Sequence, residues 1–151
     1  MINAKWSPVG VATEDEIFFY SYRINSDIAD CFPKEVYEAE LGRWSLLPPM
    51  IEERSWCAAV NIPDTGVLFI GGIGKNGSPL CSTELLMRRS AEVEVGGGEK
   101  WHWIPYIPMN KGHDGVPLAV YFQRRVHVVG CYDNIKRWKC WTLKQTVSGP
   151  T

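Results

Sequence analysis

Val67-Leu68-Phe69-Ile70-Gly71-Gly72 is the stretch that decides how this chain reads. Four consecutive large apolar residues match a strand buried on both faces and are too few for a buried helix. The two glycines that follow supply positive φ and allow close backbone approach at the strand's exit. Upstream, Cys57-Ala58-Ala59-Val60 is a small-residue apolar strand, and Pro63-Asp64-Thr65-Gly66 between the two runs is a turn. The three segments together predict a β-hairpin.

The arrangement recurs on both sides. Ile17-Phe18-Phe19-Tyr20 follows the acidic stretch Glu14-Asp15-Glu16 and is preceded by Val9-Gly10-Val11-Ala12. Val126-His127-Val128-Val129 follows Gln123-Arg124-Arg125, is preceded by Val116-Pro117-Leu118-Ala119-Val120, and is expected to turn at Gly130-Cys131. The apolar runs begin 50 and then 59 residues apart. Trp44-Ser45-Leu46-Leu47-Pro48-Pro49-Met50 parallels Trp103-Ile104-Pro105-Tyr106-Ile107-Pro108-Met109, again 59 residues on. One unit is thus a small-residue strand, an apolar strand, a polar strand and a Trp strand. Four strands per unit at this period make a propeller blade. The expected fold is all-β, a partial β-propeller. Its units are 8–47, 56–106 with a loop insertion over 87–100, and a truncated 115–151. Lys34-Glu35-Val36-Tyr37-Glu38-Ala39-Glu40 could also form a turn or two of helix. Its phase favours the third strand of the first unit, with Tyr37 packing inward.

Composition narrows the function classes. The 151 residues carry a net charge of −1, so no positive excess exists to neutralise phosphates, and nucleic acid is not an expected partner. Residues 1–8 hold no apolar core of signal-peptide length, and the apolar runs are too short to span a bilayer as helices. A cytoplasmic, membrane-free protein is expected. The five cysteines, Cys31, Cys57, Cys81, Cys131 and Cys140, include no CxxC pair and read as free buried thiols. A zinc site would have to assemble scattered cysteines with His102, His113 and His127, which lack finger-like spacing. Neither a metal nor another cofactor is expected.

In this residue order the chain resembles the kelch repeat. The second unit carries the likeness best, through Pro48-Pro49-Met50, Arg54, Ala58-Ala59-Val60, Val67 to Gly72, Ser82-Thr83-Glu84 and Trp103. The first keeps Val36-Tyr37-Glu38 and Gly42-Arg43-Trp44 but has Tyr20-Ser21 at the double glycine. The third keeps Val126 to Gly130 with Cys131 in place of the second glycine. The resemblance implies two and a half to three kelch-type blades. Tyr37, Trp44, Gly71, Gly72, Trp103 and Gly130 are then its structural residues, with Trp44 and Trp103 filling the gaps between blades. Trp56, Trp101, Trp138 and Trp141 are less constrained by the repeat. Closure takes four to eight blades. The rest of a propeller, or a partner chain, is therefore expected to complete the ring.

Kelch propellers of this kind often serve as substrate-recruiting parts of BTB–kelch adaptors of cullin-RING ubiquitin ligases. No BTB-like segment is visible in this sequence. The resemblance implies a protein partner, a ubiquitination substrate or, on the rival scaffold reading, actin. Binding would use loops leading into each first strand (51–56 and 110–115) and loops after the double glycine (73–78 and 132–134). The candidate contacts are Arg54, Ser55, Trp56, Lys75, Asn76, Lys111 and His113. Arg54 resembles the substrate-gripping arginines of the family, and it could instead brace its loop through carbonyls. Catalysis is not expected. A copper oxidase would need Tyr106, His113, Tyr121, His127 and Cys131 to converge, and their spacing does not assemble them.

Overall fold

A computed structural model of the chain describes residues 8–20, 34–89, 99–112, 116–132 and 137–144. All regular structure within them is β, in four antiparallel sheets. The first sheet is a meander of β1 (Val9–Ala12), β2 (Glu16–Tyr20), β3 (Glu35–Glu38) and β4 (Arg43–Leu46). A short ribbon pairs β5 (Arg54–Ser55) with β8 (Ile73–Gly74). The second large sheet takes β6 (Ala58–Ile62), β7 (Gly66–Ile70), β9 (Thr83–Arg88) and β10 (Trp101–Pro105) in that order. The third joins β11 (Leu118–Phe122), β12 (Arg125–Tyr132) and β13 (Arg137–Lys144). The first strands cluster, with β6 lying beside both β1 and β11.

The second sheet is the centre of the stack, and strand alternation shows why. Val67 and Phe69 of β7, with Leu86 of β9, pack against Phe18, Tyr20 and Val36 of the first sheet. Leu68, Ile70 and Leu85 point the other way, with Ala58, Val60 and Ile62, and meet Val126 and Val128 of the third sheet. β7 therefore needs apolar residues at consecutive positions, and its burial contributes about 1.5–3 kcal/mol per large side chain. At the β6–β7 turn, Gly66 sits at φ +145°, where a Cβ would lie 2.3 Å from the Leu86 carbonyl oxygen. No side chain larger than hydrogen fits between these strands.

Several expectations change. Residues 35–38 form a strand rather than a helix, as phase favoured. Period 2 sends Val36 into the core, however, while Tyr37 points the other way, onto Trp44. The insertion is shorter than 87–100. Met87 and Arg88 extend β9 and pair with His102 and Trp101 of β10. Gly130-Cys131 is not a turn. β12 runs through both residues, pairing them with Lys139 and Trp138 of β13, because one glycine here leaves the extended backbone intact. Val126 and Val128 take the inner face, so His127 faces outward, with Nδ1 3.3 Å from the Thr142 hydroxyl. β5, at Arg54–Ser55, precedes residue 56 and pairs with β8 in a ribbon separate from the second large sheet.

Candidate functional site

In an antiparallel meander, successive connections alternate between the two ends of the sheet. The hairpin turns 13–15, 63–65 and 123–124 lie at one end. The segments leading into β6 and β11, and the one after the double glycine, lie at the other. Both loop classes singled out in the sequence thus share one rim. The β5–β8 ribbon joins them directly, pairing Arg54 with Gly74 and Ser55 with Ile73. The loop into β11 touches the same region, since a Cβ on Gly112 would lie 2.9 Å from the Pro79 carbonyl oxygen.

Arg54 organises this rim from within. Its side chain is fully buried, and all five guanidinium N–H donors are engaged. Nη1 donates to the carbonyls of Gly71 (3.0 Å) and Ser82 (2.8 Å). Nη2 donates to Ser82 Oγ (3.1 Å) and Glu84 Oε1 (2.7 Å), and Nε to the Glu52 carbonyl (3.3 Å). No donor remains for a carboxylate from another chain. The bracing role weighed from the sequence is the geometry found. Glu84 is equally buried and accepts the backbone N–H groups of Ile51 (2.8 Å) and Glu52 (2.9 Å). The ion pair thus fixes both the start of the 51–56 loop and the exit of β7. Tyr20 adds a third tie, donating its hydroxyl to the Arg54 carbonyl and accepting from the Arg54 N–H (3.1 Å). Burial raises the Tyr20 phenol far above its ordinary range, so it stays a neutral donor.

The double glycine is needed by this network. Gly71 and Gly72 have φ of +61° and +90°. A Cβ on Gly72 would lie 2.4 Å from the Ser55 carbonyl oxygen, and one on Gly71 2.8 Å from Met109 Cε. Only glycines let the exit of β7 pass this close to β5.

Trp56 is the outlier on the rim. Its φ of +52° is left-handed, a strained region for a bulky side chain, and half of its surface is exposed. Ile51, at the other end of the same loop, is 61% exposed. Ser55 is buried, its hydroxyl donating to the Ile73 carbonyl at 3.3 Å. Asn76 accepts the Ser78 N–H (3.0 Å), closing its own turn, while Lys75 and Lys111 are exposed. His113 and the 133–134 part of the last loop lie outside the described residues.

Trp103 lies between the first and second sheets, its indole N–H donating to the Pro48 carbonyl (2.9 Å) and its ring edge-on to Phe69. Trp44 occupies the corresponding place on the outer side of the first sheet, against Phe19 and Tyr37. Gly130 is buried within β12, Trp101 packs edge-on to Phe18, and the Trp138 and Trp141 side chains fall outside the described residues. Sequence reasoning gave Tyr20 and Glu84 no role. An acid in the otherwise apolar strand Thr83-Glu84-Leu85-Leu86-Met87 was a signal, since a buried acid demands a buried base.

At the opposite end a cleft of about 780 Å³ runs beside Glu38, Arg43, Pro48 and Trp101. Several of its charges are paired within the chain. Lys100 binds Glu38 at 2.5 Å and lies 3.8 Å from Glu16, and this holds the Glu38 carboxyl below its usual range. Among the described residues no group of His, Cys, Asp and Glu could hold a metal ion, and no helix is long and apolar enough to cross a membrane. No protein-family model matches the chain, and no curated protein matches it.

Proposed function

We propose that this chain is a kelch-like partial β-propeller that binds a protein partner through its loop rim. The observation that carries the reading is Trp56. A half-exposed indole held in left-handed backbone, on a loop braced from below by a fully buried arginine, has the form of a preorganised interface anchor. Ile51 extends the apolar spot, and Lys75 and Lys111 add a polar surround. Four-stranded meanders whose first strands lie side by side support the blade reading, as does the Trp103 wedge between two sheets. The likeness to kelch propellers of BTB-containing adaptors makes recruitment of a substrate to a cullin-RING ubiquitin ligase the specific role proposed.

The test places a photo-crosslinking residue at position 75 on the rim and, as a control, at position 64 in the opposite turn. Crosslinking in cells followed by mass spectrometry reads the partners. Adducts from position 75 that vanish in a Trp56→Gly background support the reading. Glycine relieves the positive φ, which offsets the loss of the half-buried indole, and a melt of the variant confirms that it is folded. Equal adducts from both positions, or adducts indifferent to Trp56, would defeat it.

A further inference from the structure

We infer that the cleft between the first and second sheets binds a peptide segment of another protein in which a lysine or arginine stands beside an aliphatic residue. The cleft lies away from the Arg54 rim, and the inference does not depend on the rim reading.

Both walls of the cleft belong to the packed first and second sheets. Its volume of about 780 Å³ falls within the roughly 300–1,000 Å³ of ligand sites. Its inner charges are Glu16 of β2, Glu38 of β3, Arg88 of β9 and Lys100 just before β10. Lys100 Nζ reaches Glu38 Oε2 at 2.5 Å and lies 3.8 Å from Glu16 Oε1. Arg88 Nη1 lies 3.6 Å from the same Glu16 oxygen. The Ser45 hydroxyl donates to Glu38 Oε1 at 2.8 Å. Two acids thus meet two bases, and this inner set is neutral.

The mouth of the cleft carries a net charge instead. Asp15, Glu40, Glu99 and Arg43 line it, and all four are exposed. None of them forms an ion pair with a described residue. Three acids against one base leave an excess of two negative charges, larger than the −1 of the whole chain. The excess is therefore local to the cleft. Unpaired carboxylates at a cleft mouth focus an attractive field on cations. They can only accept hydrogen bonds, so the ligand must bring the donors, which selects lysine or arginine and disfavours phosphate groups. The same mouth is also apolar. Leu41, on the β3–β4 turn, is 56% exposed, Pro49 is exposed as well, and Trp101 lines the wall behind them. A small cation would leave these side chains in water. A peptide covers them with the aliphatic residue next to its base.

Fluorescence anisotropy on the full chain tests this with a short labelled peptide of alternating arginine and valine, against a control of alternating glutamate and valine. The basic peptide is expected to bind at least about tenfold more tightly than the acidic one, and more weakly as salt rises. Glu40→Gln/Glu99→Gln should lower its affinity by about fivefold or more. Leu41→Ser should lower it by about threefold. All three positions are exposed, so these variants should melt like the parent. Ser78→Lys/Asn110→Lys makes the same change in net charge at exposed rim positions and should leave the affinity within about twofold of the parent's. The inference is overturned if the two peptides bind equally or not at all, or if mouth and rim variants have equal effects. Displacement by free arginine at the peptide's own concentration would also overturn it, since a cation alone would then be the ligand. Trp56→Gly should leave peptide binding unchanged, and Asp64 does not line the cleft, so failure here is distinct from failure of the rim reading.

Discussion

Replacing Arg54 with alanine should be among the most destabilising single changes available in this chain. The substitution empties a fully buried volume, strips hydrogen bonds from the Glu52, Gly71 and Ser82 carbonyls, and leaves Glu84 buried without its countercharge. Removing one partner of a buried ion pair costs about 3–5 kcal/mol. Domains of this size have about 5–15 kcal/mol in total, so the loss is a third or more of the stability. Urea denaturation followed by Trp fluorescence reads it as a lower midpoint at unchanged slope. Arg54→Lys keeps the charge but offers three donors where five are used, and should fall between parent and alanine. The double variant Arg54→Ala/Glu84→Ala should cost less than the sum of the singles, by about 1–3 kcal/mol. It should not return to the parent value, because the Ile51 and Glu52 N–H groups then lack their acceptor. An Arg54→Ala loss under about 1 kcal/mol, or a strictly additive pair, would refute the idea that the guanidinium braces the rim.

Three further outcomes follow from the same geometry. Gly72→Ala forces a Cβ toward the Ser55 carbonyl at positive φ and should cost about 2–3 kcal/mol, read as a drop in melting temperature. Lys100→Ala should destabilise the chain at neutral pH but not in acid. The Glu38 carboxyl is lowered by Lys100, so its contribution is present above the unfolded-state value and lost as pH falls through the lower folded value. Melts of both proteins at neutral and acid pH check whether the difference closes. Burial pushes the Cys57 thiol up to about 12, so iodoacetamide should leave Cys57 unmodified at pH 8 in the folded chain and label it rapidly in urea, as peptide mass mapping would show.

The strand pairs were readable from sequence because each joins a small-residue run to an apolar run across turn residues. The glycines after Ile70 were readable too, since few other features place Gly-Gly at a strand exit. What could not be read was direction. An unbroken run such as Ile17-Phe18-Phe19-Tyr20 has no polar alternation, so nothing in it says which residues face the neighbouring sheet. The same gap puts Tyr37 on the wrong face. The rim was located by its loops, yet the bracing set of Tyr20, Arg54, Ser82 and Glu84 spans 65 residues of sequence. Such a set is visible only once the sheets are stacked. Trp56 shows the complementary limit, because residue type alone separates neither a core indole from an exposed one nor relaxed backbone from strained.

The order of the strands has a consequence for how this chain comes apart. Within each large sheet every strand pairs with its neighbour along the sequence, the short ribbon aside, and among the described residues the main contacts between large sheets join the second to the first and to the third. Such an array behaves as a row of coupled local units, with cooperativity carried by the junctions. The second sheet has two junctions and the flanking sheets one each within the chain. Amide exchange should therefore be slowest in β7 and quicken toward both flanks, so that the molecule frays from its ends toward its middle.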